Sequence, residues 1–407
     1  MSFEDACRFL FARQGSRIKW SLGPTTALLD ALGHPERHFP AIHIGGTNGK
    51  GSTCALTVAA LAARGFRVGV YTSPHLVSVR ERVMVDGVPM SEEAFAEWTA
   101  FLQPEIERLD ASFFEATTAI AFADLAARGV DIAVIEVGLG GRLDATNVIT
   151  PLVTVVTKIA REHTEYLGQD LLSIAGEKAG IAKPNVPFIT GEGDPAVRRA
   201  LLDEATRRGA KPVTPVDAGR PRPAGAALGL AGRHQVANAW VAHAALSALP
   251  PPFGPVGDAW PEAFGNAYIP GRFDVRGRWI FDVAHNPDGA QVLAETLHDC
   301  RPPRPRRALV GVLGDKDYLG MIRCLAPEVD GFVFTTPDTA PAKRRWDLGR
   351  LERELNESAV AVPRVFEPDF TRALDRVQEQ AATMIVTGSF HTVGDALARL
   401  PGFAPVG

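Results

Sequence analysis

The sequence predicts an α/β protein in which two domains are each built on a mostly parallel sheet. Short apolar runs alternate with longer segments whose apolar residues recur every three to four positions, a pattern typical of parallel strands joined by helices. A glycine-rich loop interrupts the first strong strand–helix pair. The chain has 407 residues, which is too long for one ordinary core and fits two domains.

Nine apolar runs are the predicted strands, five in the first part of the chain and four in the second. They are residues 41–44, 67–71, 131–137, 152–159 and 186–190, followed by 279–283, 307–313, 331–335 and 382–387. Helices are predicted at 52–64 and 115–128, each ending at a glycine that suits a C-cap. Stretches rich in proline and glycine predict loops at 211–232 and 250–258. The boundary falls near 271–276, giving domains of 1–274 and 275–407.

The loop at residues 45–52, GGTNGKGS, is the most informative segment of the chain. Glycines let backbone N–H groups turn toward a phosphate chain, and the N-terminus of the next helix adds partial positive charge. Lys50 can then reach the terminal phosphates, while Ser52 or Thr53 can offer a hydroxyl to Mg²⁺. The spacing is one residue short, and an extra glycine follows the lysine. The pattern nevertheless predicts a nucleotide phosphate loop rather than an ordinary glycine turn.

Polar residues follow or end the other first-domain strands, at the edge where α/β proteins bind ligands. Ser73 follows the second strand, where a serine–proline turn is an equal alternative. Glu136 lies in the apolar third strand, where a carboxylate is costly unless it is paired or bound to a metal. His163 follows the fourth strand and is read either as a metal ligand or as a hydrogen-bonded histidine. Lys178 is either a surface charge or, if buried near metal ions, a deprotonated or modified lysine.

The second half of the chain carries further polar segments near predicted strand ends. They are GRHQVAN at 232–238, PGR at 270–272, DVAHNP at 282–287, GVLGDKD at 311–317 and TGSFH at 387–391. Each segment alone fits a loop. Together they predict a polar face on the second domain, and we expect the active site in a cleft between the domains.

Composition excludes several classes of protein. A net charge of −4 without a long basic run gives no electrostatic footprint for nucleic acid. No apolar stretch approaches the roughly 20 residues needed to cross a bilayer, and the acidic N-terminus does not read as a signal peptide. The four cysteines are scattered, which favours reduced thiols over disulfides or a structural zinc site. We therefore expect a cytoplasmic protein that contacts neither membrane nor nucleic acid.

With these residues identified, the chain resembles the folylpolyglutamate synthase/dihydrofolate synthase family of the Mur ligase superfamily. The motifs that carry the resemblance are GGTNGKGS at 45–52, YTSPHL at 71–76, ERV at 81–83, FE at 114–115, EVGLGGRLDATN at 136–147, EKAGI at 177–181, GRF at 271–273, DVAHNP at 282–287 and TGSF at 387–390. They follow the family's order, and as a set they are highly specific.

The resemblance implies an N-terminal P-loop ATPase-type domain with a mostly parallel sheet, the central domain of Mur ligases, carrying the pterin pocket. It also implies a smaller, Rossmann-like C-terminal glutamate-ligase domain. The implied enzyme is an ATP-dependent ligase that adds L-glutamate to folates, and also to dihydropteroate, through an acyl phosphate. The implied cofactors are ATP and Mg²⁺ at two sites. Members of the family are often monomers, and we expect a monomer here.

The resemblance also implies roles for the residues at matching positions. The residues implied to bind the ATP phosphates are Gly46, Thr47, Asn48, Gly49, Lys50, Gly51 and Ser52. Asn238, Arg272 and Asp282 are implied to make further contacts with ATP. Ser73 and Glu136 are implied to bind one Mg²⁺, with Ser52 nearby. His163 and a carbamylated Lys178 are implied to bind the second. Phe114, Asp144 and Ala145 are implied to line the pterin pocket, with Arg80 and Arg82 on a nearby mobile loop. His285 and Ser389 are implied to lie on the side of the cleft that binds glutamate. Lys50, Lys178 and His285 are the implied catalytic residues, and Glu162 replaces the family's usual aspartate.

Two alternatives remain open from the sequence. A Mur-type ligase of cell-wall synthesis shares the chemistry, but the chain leaves little room ahead of the phosphate loop for the UDP-binding domain that those ligases usually carry. A nucleotide switch that hydrolyses ATP or GTP slowly would need fewer metal ligands than the sequence offers. Phosphate release that depends on glutamate separates a ligase from a switch.

Overall fold

A computed structural model gives the architecture of the protein, and it describes residues 1–14, 21–212, 215–217, 219, 221, 228–255, 260–358 and 360–403. The chain divides into two compact units. Unit 1 comprises Met1–Pro74, Val79–Gly229 and Gln235–Tyr268, and unit 2 comprises His75–Ser78, Leu230–His234 and Ile269–Gly407. The short segments of unit 2 that interrupt unit 1 are not foreseen by any sequence pattern, and the domain bounds at 1–274 and 275–407 stay a prediction.

Unit 1 contains an eight-stranded sheet. Its strands are β1 (Ala41–Gly45), β2 (Val68–Tyr71), β3 (Val83–Val85), β4 (Val88–Pro89), β5 (Ile132–Glu136), β6 (Val153–Val156), β7 (Pro187–Thr190) and β8 (Lys211–Pro212). Their spatial order is β4-β3-β2-β5-β1-β6-β7-β8. In this spatial order, all neighbouring strands from β2 through β5, β1, β6 and β7 to β8 pair in parallel. At the other edge, β3 pairs antiparallel with both β2 and β4. The carboxyl ends of β2, β5, β1 and β6 therefore meet at one edge.

Ten α-helices belong to the described residues up to 265. They are α1 (Phe3–Phe11), α2 (Gly23–Ala31), α3 (Lys50–Ala62), α4 (Glu92–Leu109), α5 (Phe113–Ala127), α6 (Thr164–Leu167), α7 (Leu171–Ala179), α8 (Pro195–Arg207), α9 (His234–Ser247) and α10 (Trp260–Gly265). Short 3₁₀-helices lie at Pro35–Arg37, Val79–Arg82 and Ala145–Val148. One apolar core joins α1, α2, α4 and α5 to β2, β3 and β5, and a second joins α7 and α8 to β6 and β7.

Helix α5 illustrates how local sequence fixes an element that the site uses. The backbone N–H of Glu115 donates to Ser112 Oγ at 3.3 Å, and the backbone N–H of Ser112 donates to Glu115 Oε2 at 2.7 Å. This capping box satisfies N–H groups that a helix start otherwise leaves without partners. It fixes the first turn of α5, and with it the position of Phe114.

Unit 2 contains a six-stranded sheet with the order β13-β12-β11-β14-β10-β9. Its strands are β9 (Asp274–Arg276), β10 (Trp279–Asp282), β11 (Arg306–Val310), β12 (Gly331–Phe334), β13 (Arg364–Phe366) and β14 (Thr383–Thr387). Its helices are α11 (Pro287–Cys300), α12 (Tyr318–Leu325), α13 (Leu348–Asn356), α14 (Phe370–Gln378) and α15 (Phe390–Arg399), with 3₁₀-helices at Ala326–Glu328 and Ala342–Arg344. All pairings are parallel except that of β9 with β10.

The predicted α/β class with two parallel-dominated sheets is confirmed. Each of the nine predicted strands is present with slightly different bounds, and the two predicted helices begin two residues early, as α3 and α5. The prediction missed β3, β4, β8, β9 and β13, which have only two or three residues each. The predicted loops at 211–232 and 250–258 lie partly outside the described residues, and the first was wrong at β8. Within the described residues, no helix is both long and apolar enough to cross a membrane.

Candidate functional site

The glycine-rich loop between β1 and α3 is held against the segment that follows β6. The backbone N–H of Thr47 donates to Lys158 O at 2.8 Å, and Thr157 Oγ1 donates to Asn48 O at 2.8 Å. Gly46 has φ +131°, and a Cβ there would come within 2.0 Å of Thr157 Oγ1. Only glycine therefore fits this position, because both its backbone conformation and the space around it exclude a side chain.

The N-terminus of α3 is open to an anion. Gly49 is the N-cap with φ +93°, and no described side chain caps the helix. The first N–H groups of a helix have no partner inside the helix and carry its partial positive charge. Lys50 is the first residue of the helix, and its Nζ donates to Thr47 O at 3.1 Å. The loop thus has the backbone donors and the cation that the sequence predicts for phosphate binding.

Lys178 on α7 lies buried beside the same loop. Its side chain is 4 % exposed, and its Nζ donates to Gly46 O at 2.9 Å. Burial, helped by the positive charge of Lys50, lowers the pKa of Lys178 from 10.5 to about 7, although the carboxylates of Glu162 and Asp144 oppose the shift. The reading of Lys178 as a surface charge is therefore wrong, and its amine is available in the neutral form near pH 7.

Glu136 and Ser73 meet at the ends of neighbouring strands. Glu136 is the last residue of β5, is 4 % exposed, and is in register with Ile44 of β1. Ser73 follows β2, and its backbone N–H donates to Glu136 Oε2 at 3.3 Å. Among the described residues, no three His, Cys, Asp or Glu side chains are clustered for a metal. A carboxylate and a hydroxyl fit Mg²⁺, which takes few protein oxygens and keeps several waters.

Helix α9 reaches the start of α3 through a side chain that the sequence did not single out. Ser52 is 6 % exposed, and Gln235 Nε2 donates to its Oγ at 3.2 Å. Gln235 Oε1 accepts from Asn238 Nδ2 at 2.9 Å. A Cβ on Gly49 would come within 2.5 Å of Asn238 Oδ1, so Asn238 lies directly against the loop. In the sequence, Gln235 appears only as a member of the polar segment GRHQVAN, three residues before Asn238 on the same helix face.

His163 lies on the segment after β6. It is the N-cap of α6 with φ +51°, its side chain is 42 % exposed, and its Nε2 lies 3.9 Å from Glu162 Oε1. Thr47 Oγ1 donates to Ala160 O at 3.2 Å, which ties this segment to the glycine loop. The metal role of His163 stays a prediction.

Phe114 and Asp144 lie around the turn that follows β5. A Cβ on Gly138 would come within 2.2 Å of Phe114 Cζ, so the ring lies on the glycine backbone. Asp144 is 5 % exposed and accepts from Leu139 N at 2.8 Å and Thr146 N at 3.0 Å. Burial raises the pKa of Asp144, and these hydrogen bonds oppose the shift. The adjacent Ala145 is also 5 % exposed, so two of the three predicted pterin-pocket residues, Asp144 and Ala145, belong to one tightly hydrogen-bonded turn.

A buried histidine in β1, which sequence reasoning missed, holds this turn. His43 Nε2 lies 2.8 Å from Thr146 Oγ1, whose hydroxyl proton is donated to Asp144 Oδ1. His43 must therefore donate, which assigns its proton to Nε2. Its Nδ1 has no partner among the described residues. Burial, with a smaller contribution from Lys183, lowers the pKa of His43 to about 3 and keeps the ring neutral.

Arg80 and Arg82 lie in the 3₁₀-helix Val79–Arg82, where the resemblance implied a mobile loop. Arg80 Nε donates to Met90 O at 2.7 Å. Arg82 is 8 % exposed, its guanidinium lies 5.1 Å from the ring centre of Phe113, and burial lowers its pKa. The segment is therefore a short 3₁₀-helix in which the Phe113 ring covers the buried Arg82 guanidinium, and its implied mobility stays a prediction.

In unit 2, the predicted residues Arg272 and His285 lie near the ring of Phe390, and the charges of both act on the predicted Asp282. Asp282 ends β10, and its two oxygens accept from Phe273 N and Ala284 N, each at 2.9 Å. Burial raises the pKa of Asp282 against the positive charge of Arg272. The Arg272 guanidinium lies 5.4 Å and the His285 ring 5.9 Å from the ring centre of Phe390.

Ser389 has a structural task in unit 2. It is 3 % exposed and is the N-cap of α15, where its Oγ accepts from Thr392 N at 3.1 Å and donates to Gly311 O at 3.0 Å. Thr392 Oγ1 lies 2.8 Å from Ser389 Oγ. The hydroxyl is therefore largely occupied within unit 2, and its contact with glutamate stays a prediction.

Comparison with known proteins finds similarity over nearly the whole chain. Residues 271–390 match the family "Mur ligase, glutamate ligase domain". The dihydrofolate synthase/folylpolyglutamate synthase of Bacillus subtilis is 32% identical over 98% of this chain and 99% of its own length. The structure of Mycobacterium tuberculosis folylpolyglutamate synthase complexed with ADP has TM-score 0.85 and 34% identity, covering 97% of each chain. The structure of a bifunctional folylpolyglutamate synthase/dihydrofolate synthase with Mn, AMPPNP and L-glutamate bound has TM-score 0.82 and 30% identity, covering 98% of each chain.

Proposed function

The chain belongs to the dihydrofolate synthase/folylpolyglutamate synthase family, and from this premise we propose that it is an ATP-dependent ligase that joins L-glutamate to folates. We propose that dihydropteroate is a second acceptor, since the Bacillus subtilis relative, which is matched over 99% of its length, carries both names. The observation that carries the proposal is the glycine loop in unit 1, with Lys50 at the open end of α3 and Lys178 buried beside it.

The first step transfers a phosphoryl group to the acceptor. A carboxylate oxygen of the pteroate or folate attacks the γ-phosphorus of ATP, the bond to the β–γ bridging oxygen breaks, and ADP leaves. The product is an acyl phosphate, which makes a poor electrophile reactive toward an amine. The N–H groups at the start of α3 and the ammonium of Lys50 would neutralise charge on the phosphates. Asn238, which lies against Gly49, supports the predicted ATP contact there.

A divalent cation, when bound, would neutralise phosphate charge and orient the γ-phosphoryl group. We propose that Ser73 and Glu136 hold one cation with Ser52 nearby, and that His163 and a carbamylated Lys178 hold a second. The contact between Ser73 and Glu136 supports the first site. The second rests on the burial of Lys178 and on its bond to the loop.

Carbamylation suits the surroundings of Lys178. The lone pair of Nζ attacks the carbon of CO₂, an N–C bond forms, and one proton leaves to solvent. This replaces a buried cation with an anionic oxygen ligand of the kind that Mg²⁺ prefers. The step needs a neutral amine, and burial lowers the pKa of Lys178 to about 7.

The second step forms the amide. The amine of L-glutamate attacks the acyl carbon, the C–O bond to phosphate breaks, and inorganic phosphate and a proton leave. We propose His285 as the candidate base and, with Ser389, as the glutamate side. The ATP contacts of Arg272 and Asp282, the pterin contacts of Phe114, Asp144 and Ala145 and the roles of Arg80 and Arg82 also stay proposals. The monomeric state and the cytoplasmic location stay predictions.

The experiment that tests the proposed function is phosphate release from ATP, measured with L-glutamate and either dihydropteroate or tetrahydrofolate. We expect release with both acceptors, and dependent on glutamate. Release with tetrahydrofolate alone would restrict the enzyme to extending the glutamate tail. Release that is independent of glutamate, or absent with both acceptors, would contradict the proposed ligase.

The carbamate is tested separately by carbon-13 NMR of the protein equilibrated with labelled bicarbonate. We expect one carbamate resonance that disappears in Lys178→Ala, and we expect this variant to be inactive with partial rescue by short carboxylates. Lys211→Ala, which changes an exposed lysine of unit 1, is the control and should keep the resonance. Full activity of Lys178→Ala without added carboxylate would show that no carbamate is needed.

A further inference from the structure

Gln235 is a buried amide whose two ends join separate parts of the phosphate-loop region. It is 2 % exposed. Its Nε2 donates to Ser52 Oγ at 3.2 Å, across a separation of 183 positions in the sequence. Its Oε1 accepts from Asn238 Nδ2 at 2.9 Å. Both contacts lie within unit 1.

The hydrogen bond from Gln235 restricts what the Ser52 hydroxyl can do. A serine hydroxyl has one proton to donate and two lone pairs to accept with. One lone pair is used by Gln235 Nε2. One lone pair and the proton remain, which suffices for one cation and one phosphate oxygen. Because buried side chains hold one rotamer, the donor also fixes the direction in which the remaining groups point.

The other end of Gln235 reaches the backbone of the loop through Asn238. A Cβ on Gly49 would come within 2.5 Å of Asn238 Oδ1, so the amide lies on the residue that begins α3. The chain Ser52–Gln235–Asn238 therefore connects the hydroxyl in the first turn of α3 with an amide covering the helix start. Loss of the middle member would leave a buried acceptor and a half-buried donor without their partner.

We propose that Gln235 is a positioning residue for the nucleotide. It orients the Ser52 hydroxyl toward the Mg²⁺-bound phosphates and couples it to Asn238. The inference rests on the proposed binding of ATP at this loop, and it adds a residue to which no sequence motif assigned a role.

The test is a double-mutant cycle of Gln235→Met and Ser52→Ala, read as ADP affinity by calorimetry with Mg²⁺ present. Methionine keeps the length of glutamine and removes both hydrogen bonds. We expect each single variant to bind ADP about tenfold more weakly, and the double variant to be weaker by about tenfold rather than a hundredfold, because both changes abolish the same contribution, that of the oriented Ser52 hydroxyl to nucleotide binding. Multiplicative losses would overturn the proposal.

Two further readouts separate positioning from general stability. Removing Mg²⁺ with EDTA should shrink the effect of Gln235→Met, and KM for ATP should rise while KM for glutamate stays unchanged. Gln291→Met changes an exposed glutamine on α11 and is the matched control, expected to bind ADP like the wild type. An equal loss of affinity with and without Mg²⁺ would contradict a role through the Ser52 hydroxyl.

If Gln235→Met does not fold, Gln235→Glu replaces it in the cycle, because glutamate keeps the acceptor for Asn238 and lacks the donor for Ser52. The same non-additivity with Ser52→Ala is expected. Because ADP binding needs no folate, the cycle also reports on Gln235 in a protein that shows no ligase activity. A wild type that binds ADP but releases no phosphate would refute the proposed ligase and leave the positioning role standing.

Discussion

Two strand–helix junctions of this protein look alike in sequence and differ in what they offer a ligand. The β1–α3 junction and the β14–α15 junction each combine a glycine at positive φ with a buried serine. In the first, glycine is the N-cap and no described side chain caps the helix. In the second, Ser389 caps α15 by accepting from Thr392 N. A helix start can bind phosphate only where the protein leaves its N–H groups unused, so only the first junction is suited to an anion.

The largest expected effect concerns the charge at the open junction. Lys50→Ala should lower turnover roughly a thousandfold, since it removes the cation at the transferring phosphoryl group. The melting temperature should stay close to that of the wild type, because the Lys50 side chain makes a single hydrogen bond within the described part of the chain, to Thr47 O. Lys343→Ala, an exposed lysine in unit 2, is the control. Near-normal phosphate release by Lys50→Ala would contradict the proposal that the β1–α3 junction binds the phosphates of ATP.

Alanine at the two glycines should separate binding from folding. Both variants force a positive φ on alanine and should each cost about 1–3 kcal/mol of unfolding free energy. Gly49→Ala also places a methyl group 2.5 Å from Asn238 Oδ1, beside the loop, and should in addition weaken ADP binding on the order of tenfold. Gly388→Ala places the methyl group 2.6 Å from the backbone oxygen of Gly311 and should leave ADP binding unchanged. Calorimetry and urea unfolding measure the two quantities. Equal losses of ADP affinity in the two variants would contradict the proposed difference between the junctions.

The strand leading into the open junction carries a titratable group, His43, whereas β14 carries none. The pKa of His43 is lowered to about 3 in the folded protein, so the unfolded chain binds more protons between pH 6.5 and 3. Stability should therefore fall as pH decreases through this window, by about 2 kcal/mol near pH 4.5. Urea unfolding of the wild type and of His43→Leu at pH 7 and 4.5 checks this. The variant should be less stable at pH 7 and less sensitive to acid, and an unchanged acid sensitivity would contradict the assignment.

The smallest expected effect is on the capped junction. Ser389→Ala should lower the unfolding free energy by about 1 kcal/mol through loss of the α15 cap, and somewhat further through loss of the bond to Gly311 O. Ser91→Ala removes the cap of α4, with a bond from Ala94 N of 3.0 Å, and is the matched control. KM for glutamate in Ser389→Ala tests the predicted substrate contact at the same time. A rise in that KM would mean that Ser389, besides capping α15, also contacts the substrate.

The sequence predicts those parts of the fold that depend on local pattern. Long apolar runs mark the central strands, since burial on both faces requires them, and the glycine loop is recognisable because glycines, a lysine and a serine follow one another between a strand and a helix. The edge strands β4 and β8 have two residues each, which is too short for any periodicity to register. The two excursions of the chain into unit 2 also escape a linear pattern, because they depend on which distant residues pack together.

The residues of the candidate site could be predicted where the chemistry of a single side chain stands out in the sequence. They could not be predicted where their role depends on a contact with a distant residue. Lys50, Glu136 and Lys178 stand out as charges in apolar or glycine-rich surroundings, and the structure buries the last two. Gln235 and His43 do not stand out, because an amide and a histidine within a helix or a strand are ordinary until their partners are known. Their hydrogen bonds to Ser52 and Thr146 span 183 and 103 positions.

The bond from Lys178 Nζ to Gly46 O bears on how the loop would respond to dissolved carbon dioxide. A carbamylated lysine keeps one N–H on the same nitrogen, so the carbonyl of Gly46 would retain its donor after the modification. The side chain would change sign beside Lys50, turning a repulsion into an attraction, while the glycine backbone stayed where it is. Bare and modified lysine would thus share one scaffold, and uptake of the gas would require no rearrangement of the main chain.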